Sequence, residues 1–408
     1  MGTAPAAAGG DRLSNLPDCL LHSVLSHLRS RQVVHTGLLS RRWRHLWRAV
    51  PCVDIHHRDF LDEPEPEPEP EAFYRADGAF DAAMYDAHRQ AQDKRMGREI
   101  MQRQDSVLPL NAASPLDAYR LHLGGDVHLR KGMGRWIRRA LARRPAELRV
   151  ACDYDHGNGY HRSSKDPFFS LGIFSRTAGV TSRLRRLSLS GLILFELFEE
   201  ELRSECPVLE DLQLVNCECH RQSPGRLRIT SRSLKRLAIV SSSSEARLCL
   251  TAPALVSLNV GMPVAVEEEM PSLAVASISC HAGVLSLLKS LRTARALELQ
   301  RFTTCALVGE EPELFREFHN LRTLVLTECE IGDGCQVLAH ALKSFPNLER
   351  IVLQDCMVMY LLPRVSLMCR QFTAIELWFN NLLPSSHYIN NLLPSSHYIN
   401  DYRSRGVV

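Results

Sequence analysis

The chain has 408 residues, enough for two or three domains or for one repeat array, and 45% of them are hydrophobic, which supports a substantial core. Its 49 basic and 46 acidic residues leave a formal net charge of +3, a balance that supplies no global field for nucleic acid or membrane and requires local recognition of partners. Thirteen cysteines, odd in number and dispersed, follow an N-terminus (MGTAPAAAGG) without the apolar run of a secretory signal, and so predict a reducing cytoplasm or nucleus and no disulfide framework. No stretch reaches the roughly 18 uninterrupted apolar residues of a membrane span, and even GLILFELF is broken by Glu196.

Residues 1–10 read as a disordered N-terminus. Residues 11–50 read as three short helices with more apolar surface than forty residues can bury alone. On the first, Leu16, Leu20, Leu21, Val24, Leu25 and Leu28 fall at helical spacing, and Pro17 sits where a first turn has no need of its N–H. On the third, Trp43, Leu46, Trp47 and Val50 follow Ser40, a good N-cap, with Arg41, Arg42, Arg44 and Arg48 turned the other way. The surplus apolar face predicts a docking surface. A core-only helical cap is the plainer reading. A DNA-binding helix-turn-helix is another, because residues 11–50 hold seven Arg against two Asp; its third helix, however, lacks the Asn and Gln that read base edges.

The order Leu16-Pro17, Leu20-Leu21, Val33-Val34, Leu38-Leu39-Ser40, Arg42-Trp43 and Leu46-Trp47 resembles the F-box of plant F-box proteins. The resemblance implies that residues 11–55 form a module that packs on the SKP-type adaptor of a cullin-RING ubiquitin ligase, while the rest of the chain selects the substrate. Carried over by position, the adaptor-facing residues would be Leu16, Pro17, Leu20, Leu21, Val24, Leu28, Val34, Leu39, Trp43 and Leu46.

Residues 56–107 follow as an acidic Glu-Pro spacer and a flexible or helical linker. Within it, residues 63–71 alternate Glu and Pro, which excludes helix and central strand; held extended, they would reach roughly 28 Å at about 3.1 Å per residue and could hold two domains apart. A tolerated low-complexity loop insertion is the competing reading.

From residue 108 to 380 the pattern L-x-x-L-x-L recurs. It starts at Leu184, Leu209, Leu234, Leu255, Leu273, Ala294, Leu321, Leu348 and Phe372, with steps of 18 to 27 residues, in or near the roughly 20 to 29 of leucine-rich repeats. Cys217, Cys329 and Cys356 occupy the position where that pattern admits Asn or Cys, so they are predicted to be structural. LDAYRLHL and AELRV bracket a helix with Trp136, Ile137, Ala140 and Leu141 on one side and read as irregular first units. Together these features resemble plant F-box proteins of the leucine-rich-repeat type. The fold class is therefore α/β: an N-terminal three-helix F-box-like module followed by an irregular leucine-rich-repeat solenoid, a horseshoe.

In such a repeat the leucines point into the core and the alternate strand residues form a ladder on the concave side. The ladder runs through Arg186, Ser188, Asp211, Gln213, Arg236, Ser257, Asn259, Ser277, Glu298, Gln300, Thr323, Thr327, Arg350, Gln354, Glu376 and Trp378, and LFELFEEELRS, PELFREF and CQVLAHALKSF would return on the convex side. Substrate binding is assigned to Arg186, Asp211, Gln213, Arg236, Glu298, Gln300, Arg350, Gln354, Glu376 and Trp378.

Catalytic patterns are absent from the sequence. Gly132 and Gly134 begin a dinucleotide-like pattern whose third glycine is replaced by Ile137; Cys217, Cys219 and His220 lack a second ligand pair; and His56-His57 and HGNGYH have no nucleophile arranged around them. No catalytic, cofactor or metal site is expected. Residues 381–408 form a tail in which NLLPSSHYIN occurs twice in succession, too short and too exact a copy to be a solenoid unit. The resulting expectation is a non-catalytic receptor acting by proximity, with an unknown protein substrate. A DNA-bound regulator and a non-degradative peptide scaffold are the alternatives.

Overall fold

The computed structural model describes residues 13, 15–60, 81–85, 87–88, 91, 115–123, 127–152, 168–169, 181–194, 198–219, 226–240, 247–279, 287, 289–301, 318–331, 345–360 and 368–378. The N-terminal residues 1–10, the Glu-Pro run 63–71, HGNGYH, His220, PELFREF before Phe318, the main part of CQVLAHALKSF and the tail 381–408 lie outside them. The chain divides into two compact units, Met1–Arg221 and Gln222–Val408.

The first unit opens with helices α1 (Asp18–Leu25), α2 (Ser30–Thr36) and α3 (Trp43–Leu46), the last continued by a 3-10 turn Trp47–Ala49. Leu21, Leu25, Val33, Trp43, Leu46 and Val50 close into one core, with Leu16 and Trp47 packed against it. Helix α3 is a single turn whose N-cap is Arg42, not Ser40; the Ser40 carbonyl instead accepts from the Arg44 N–H at 3.2 Å in the turn that leads into it. One turn of about 6 Å is too short to serve as a groove-reading helix.

Five parallel strands follow in order: β1 (Cys52–His56), β2 (Ala118–Leu123), β3 (Glu147–Cys152), β5 (Arg186–Ser190) and β7 (Asp211–Val215). Short strands β4 (Phe168–Phe169), β6 (Ile193–Leu194) and β8 (Glu218–Cys219) make a second parallel ribbon. Helix α4 (Val127–Ala142) buries Trp136, Ile137, Ala140 and Leu141, as its spacing predicted, and α5 (Phe198–Glu205) forms within LFELFEEELRS. Gly132 and Gly134 fall inside α4, so they form no phosphate-cradling loop.

The parallel sheet begins earlier than the repeats read from sequence. Strand β1 buries Val53 and Ile55 in the same alternation as the repeat strands, and pairs in register with β2 from Cys52↔Ala118 to His56↔His122. The chain leaves β1 and returns in its immediate neighbour β2, so the module meets the sheet through that pairing; the Glu-Pro run, on which the spacer reading falls, lies outside the described residues. Beyond it, residues 82–85 are helical, closed by Tyr85 N–H to Asp81 carbonyl at 3.0 Å.

The helical module is tied directly to this sheet. The Asp54 N–H donates to Ser30 Oγ at 2.9 Å, Arg29 pairs with Asp59 at 3.0 Å, and the Arg31 guanidinium donates to the Asp59 carbonyl. Ser30 is buried at the start of α2, where its hydroxyl satisfies an amide that would otherwise be lost to solvent.

In the second unit β10 (Arg236–Val240), β12 (Ser257–Val260), β14 (Val275–Ser279), β15 (Ala296–Gln300), β16 (Thr323–Thr327) and β18 (Arg350–Tyr360) are parallel neighbours, and β9 (Arg226–Thr230), β11 (Arg247–Thr251) and β13 (Val264–Val266) form a separate parallel ribbon. Strand β17 (Glu330–Ile331) pairs with the far end of β18. The last predicted repeat, Phe372-Ile375-Leu377, departs from the series: β19 (Met368–Trp378) runs antiparallel to β18, with Ile351↔Leu377 and Leu353↔Ile375. Only residues 361–367 separate the two strands, too few for the dozen or more that a parallel crossover requires.

Five of the repeats share one device at the strand end. The residue after the strand takes a left-handed backbone: Gly191 (φ 65), Asn216 (φ 50), Arg301 (φ 57), Glu328 (φ 53) and, at the same position within β18, Asp355 (φ 51). Where the residue is not glycine this costs about 1 kcal/mol or more. It is offset because the turned amide bonds to the next repeat, Gly191 to the Val215 carbonyl, Arg301 to Thr327 and Glu328 to Gln354, each at 2.9 Å. One residue further on, Cys217, Cys329 and Cys356 are buried and donate S–H to carbonyls of the preceding repeat, Leu189 at 3.4 Å, Leu299 at 3.3 Å and Leu326 at 3.2 Å. Their structural role is as the pattern predicted.

Leu237, fully enclosed on β10, is expected to cost about 2 to 5 kcal/mol when changed to Ala, measured by urea unfolding, whereas Ser257→Ala on the open side of β12 should stay within about 0.5 kcal/mol. Tyr119 on β2 is wholly buried with no partner for its hydroxyl among the described residues, and burial pushes its pKa up. Tyr119→Phe keeps the ring and removes the stranded hydroxyl, so it should raise stability by about 1 kcal/mol in the same assay.

Candidate docking surfaces

The ten residues assigned to adaptor docking separate into two sets. Leu21, Trp43 and Leu46 are buried in the three-helix core and are not part of an exposed face, a correction to the sequence reading. Leu16 is half-buried against that core, and Val34 is half-buried beside it. Pro17, Leu20, Val24, Leu28 and Leu39 are exposed, Leu20 by 50% and Leu39 by 67%. The division has a geometric cause. Leu20, Val24 and Leu28 recur every four residues on one side of α1 and its extension, while Leu21 and Leu25 recur every four on the adjacent side, so a single apolar stripe in sequence is two faces in space.

Leu38, which the sequence assignment omitted, is the most exposed large apolar residue of the module at 87%. It follows Gly37 in the turn after α2, where two consecutive leucines in a turn were the available signal. Val34, Gly37, Leu38, Ser40, Arg44 and Trp47 line an open depression of about 390 Å³, rimmed also by Arg41. The Trp47 indole N–H donates to the Arg44 carbonyl at 3.0 Å and the Arg48 guanidinium stands 5.4 Å from its ring centre, which fixes the aromatic wall of that depression.

Arg42 is different from its basic neighbours. Its guanidinium pairs with Asp18 at 2.7 Å and donates to the Leu16 carbonyl at 2.5 Å, locking the approach to α3 against the start of α1. It thereby positions the Leu16-Pro17 corner, a role that no local sequence pattern signals.

On the sheet of the first unit, the ladder residues lie where the repeat predicted, with Arg186 in register with Glu147 and Asp211, and Ser188 with Arg149 and Gln213. Here the charges are mutually engaged. Glu147, almost fully buried, takes Arg120 at 3.2 Å on one side and Arg186 at 3.5 Å on the other, and Ser188 bonds Gln213 at 3.0 Å. Arg186 is thus partly committed within the chain.

The second unit carries its own aligned rows. Arg236, Ser257, Val275, Ala296, Thr323 and Arg350 form one, Ala238, Asn259, Ser277, Glu298, Val325 and Val352 the next, and Ser279, Gln300, Thr327 and Gln354 a third. Glu376 and Trp378 join by the antiparallel pairing of β19, opposite Val352 and Arg350. Among the described residues no group of three His, Cys, Asp or Glu is placed to hold a metal ion, and no helix is long and apolar enough to cross a membrane.

Two family models match this geometry. The F-box domain matches residues 13–53, covering the helical module and the first two residues of β1, and the model described as FBD-associated F-box protein At5g56370, LRR repeats, matches residues 168–378, ending with β19. Among curated proteins, the meiotic F-box protein MOF of Oryza sativa subsp. japonica is 34% identical over 384 residues, covering 85% of this chain and 72% of that one. The F-box/LRR-repeat protein At3g58940 of Arabidopsis thaliana is 24% identical over 373 residues, 84% of this chain and 54% of that one. The FBD-associated F-box protein At4g13985 of Arabidopsis thaliana is 49% identical over a shorter stretch of 57 residues, 14% of this chain and 12% of that one. With a three-helix module, in-register leucine strands and matches that span both, this chain belongs to the plant F-box/leucine-rich-repeat family.

Proposed function

We propose that this chain is the substrate-recognition subunit of an SCF-type cullin-RING ubiquitin ligase. The helical module docks on the SKP-type adaptor, and the open faces of the repeat strands bind the protein to be ubiquitinated. The observation that carries the reading is the exposed apolar set Leu20, Val24, Leu28, Leu38 and Leu39 on a module whose own core is already closed by other residues. Fully burying one such side chain is worth roughly 1.5 to 3 kcal/mol, so this set can supply a specific interface when a partner covers it.

In this reading the chain makes and breaks no bonds. It holds a target near a ubiquitin-charged enzyme and raises the effective concentration of the reacting groups. A cytoplasmic or nuclear site of action is part of the proposal, supported by the free thiols of Cys19, Cys52, Cys152, Cys206, Cys217, Cys249, Cys329 and Cys356.

The double substitution Leu38→Ser with Leu39→Ser tests the docking face. Both side chains are largely in solvent, so the thermal melt should be unchanged, while recovery of co-expressed SKP-type adaptor should fall at least tenfold, because the lost burial exceeds the roughly 1.4 kcal/mol of one decade. Leu21→Ala is the contrasting variant: it opens the module core and should lower stability by about 2 to 5 kcal/mol. Wild-type adaptor recovery by the double variant would overturn the assignment. Replacing Arg41 and Arg44 with Gln should leave adaptor recovery intact, whereas duplex DNA binding by the full chain that falls steeply with salt would favour the DNA-bound regulator.

A further inference from the structure

We infer that the sheet face of the second unit recognises a basic side chain, lysine or arginine, on an exposed segment of the target protein, through the carboxylate of Glu298. This rests on the proposed function above and specifies what its substrate face selects.

Glu298 occupies the middle of β15, half-buried, with Ser277 beside it on β14 and Val325 beside it on β16. Among the described residues it has neither an ion pair nor a hydrogen bond. Among the described residues the cations of the same face stand on other strands. Arg236 lies three strands away on β10 and Arg350 two strands away on β18, a backbone separation of roughly 14 Å and 10 Å at about 4.8 Å per strand, and neither pairs with Glu298. The contrast with Glu147 is informative. That carboxylate, also on a repeat strand, is flanked by two arginines at 3.2 and 3.5 Å, so the fold can neutralise a ladder carboxylate where no partner needs it.

A partner lying on this face would strip water from Glu298. The loss is restored only if the partner brings a cation, so an apolar or acidic residue at that point is selected against. The surroundings fit the rest of such a side chain. Val275, exposed on β14, Ala296 two residues before Glu298, and Val325 form a low apolar bed for the aliphatic stem of a lysine or arginine whose charged head reaches the carboxylate. In the flanking rows the positions nearest Glu298 are uncharged, Val275, Ala296 and Thr323 on one side and Ser279, Gln300 and Thr327 on the other, with the arginines of the first row at its ends on β10 and β18, which lets a partner backbone approach closely between them.

The test uses the full chain, immobilised, and nonapeptide pools with a fixed central residue, either lysine, arginine, norleucine or glutamate, in a background of Ala, Ser, Thr, Val and Asn. Norleucine keeps the aliphatic stem and removes the charge. The lysine and arginine pools should be retained about tenfold over norleucine, the glutamate pool should be retained least, and the preference should shrink with salt. Glu298→Gln should abolish the preference at an unchanged thermal melt, while Glu268→Gln, an exposed carboxylate off this face, should preserve it. Equal retention of norleucine and lysine, preference for glutamate, or persistence of the preference in Glu298→Gln would each overturn the inference. Adaptor recovery is read separately on the same variants: intact recovery with no cation preference removes this inference alone, and lost recovery in the Leu38→Ser, Leu39→Ser variant bears only on docking.

Discussion

Every surface described above depends on the parallel pairing of short strands whose alternate leucines are buried. Within each unit the pairing runs residue to residue, Leu187↔Leu212 in the first and Leu258↔Ala276, Leu297↔Leu324 and Leu324↔Ile351 in the second. A strand whose side chains alternate strictly cannot slip by one position without exchanging its core and open faces, so burial of the leucines fixes which residues face outward. The left-handed residue at the strand end and the thiol that follows it keep the next turn in step, through amide and S–H bonds that cross from one repeat to its neighbour.

The same economy explains the ion pairs that recur between consecutive repeats. Arg185 with Glu210, Arg301 with Glu328 and Arg322 with Glu349 each join residues 25 or 27 positions apart, that is, one repeat apart. All are exposed and contribute at most about 1 kcal/mol apiece. Their consequence is specificity of neighbour: a repeat shifted by one rung would face a like charge or none. Phe318 and Phe345 repeat the logic in the apolar phase, meeting edge to face at 5.9 Å one repeat apart.

The helical module obeys a different constraint. Six buried side chains are a small core, and the module gains order from its attachment to the sheet through Ser30, Arg29 and Arg31 and from the Arg42 bridge to Asp18 and the Leu16 carbonyl. With these ties in place, the core closes without Leu20, Val24, Leu28, Leu38 and Leu39, which stay exposed.

The sequence by itself determined the order of parts and the inward leucines, because helical spacing and the L-x-x-L-x-L period are local and survive any arrangement around them. It also placed Cys217, Cys329 and Cys356 correctly, since their position is set by the repeat. Tertiary structure decided what depends on contacts between distant residues. Leu21, Trp43 and Leu46 went to the core because adjacent faces of one short helix are indistinguishable by spacing alone, and β1 joined the sheet because it pairs with β2 some sixty residues later. Phe372, Ile375 and Leu377 match the repeat in composition but turn back antiparallel, a choice made by the length of the connection rather than by the strand. The ladder charges were equal in sequence; only pairing across strands showed that Glu147 engages Arg186 while Glu298 has no counter-ion among the described residues, because an ion pair is a distance and the sequence carries none.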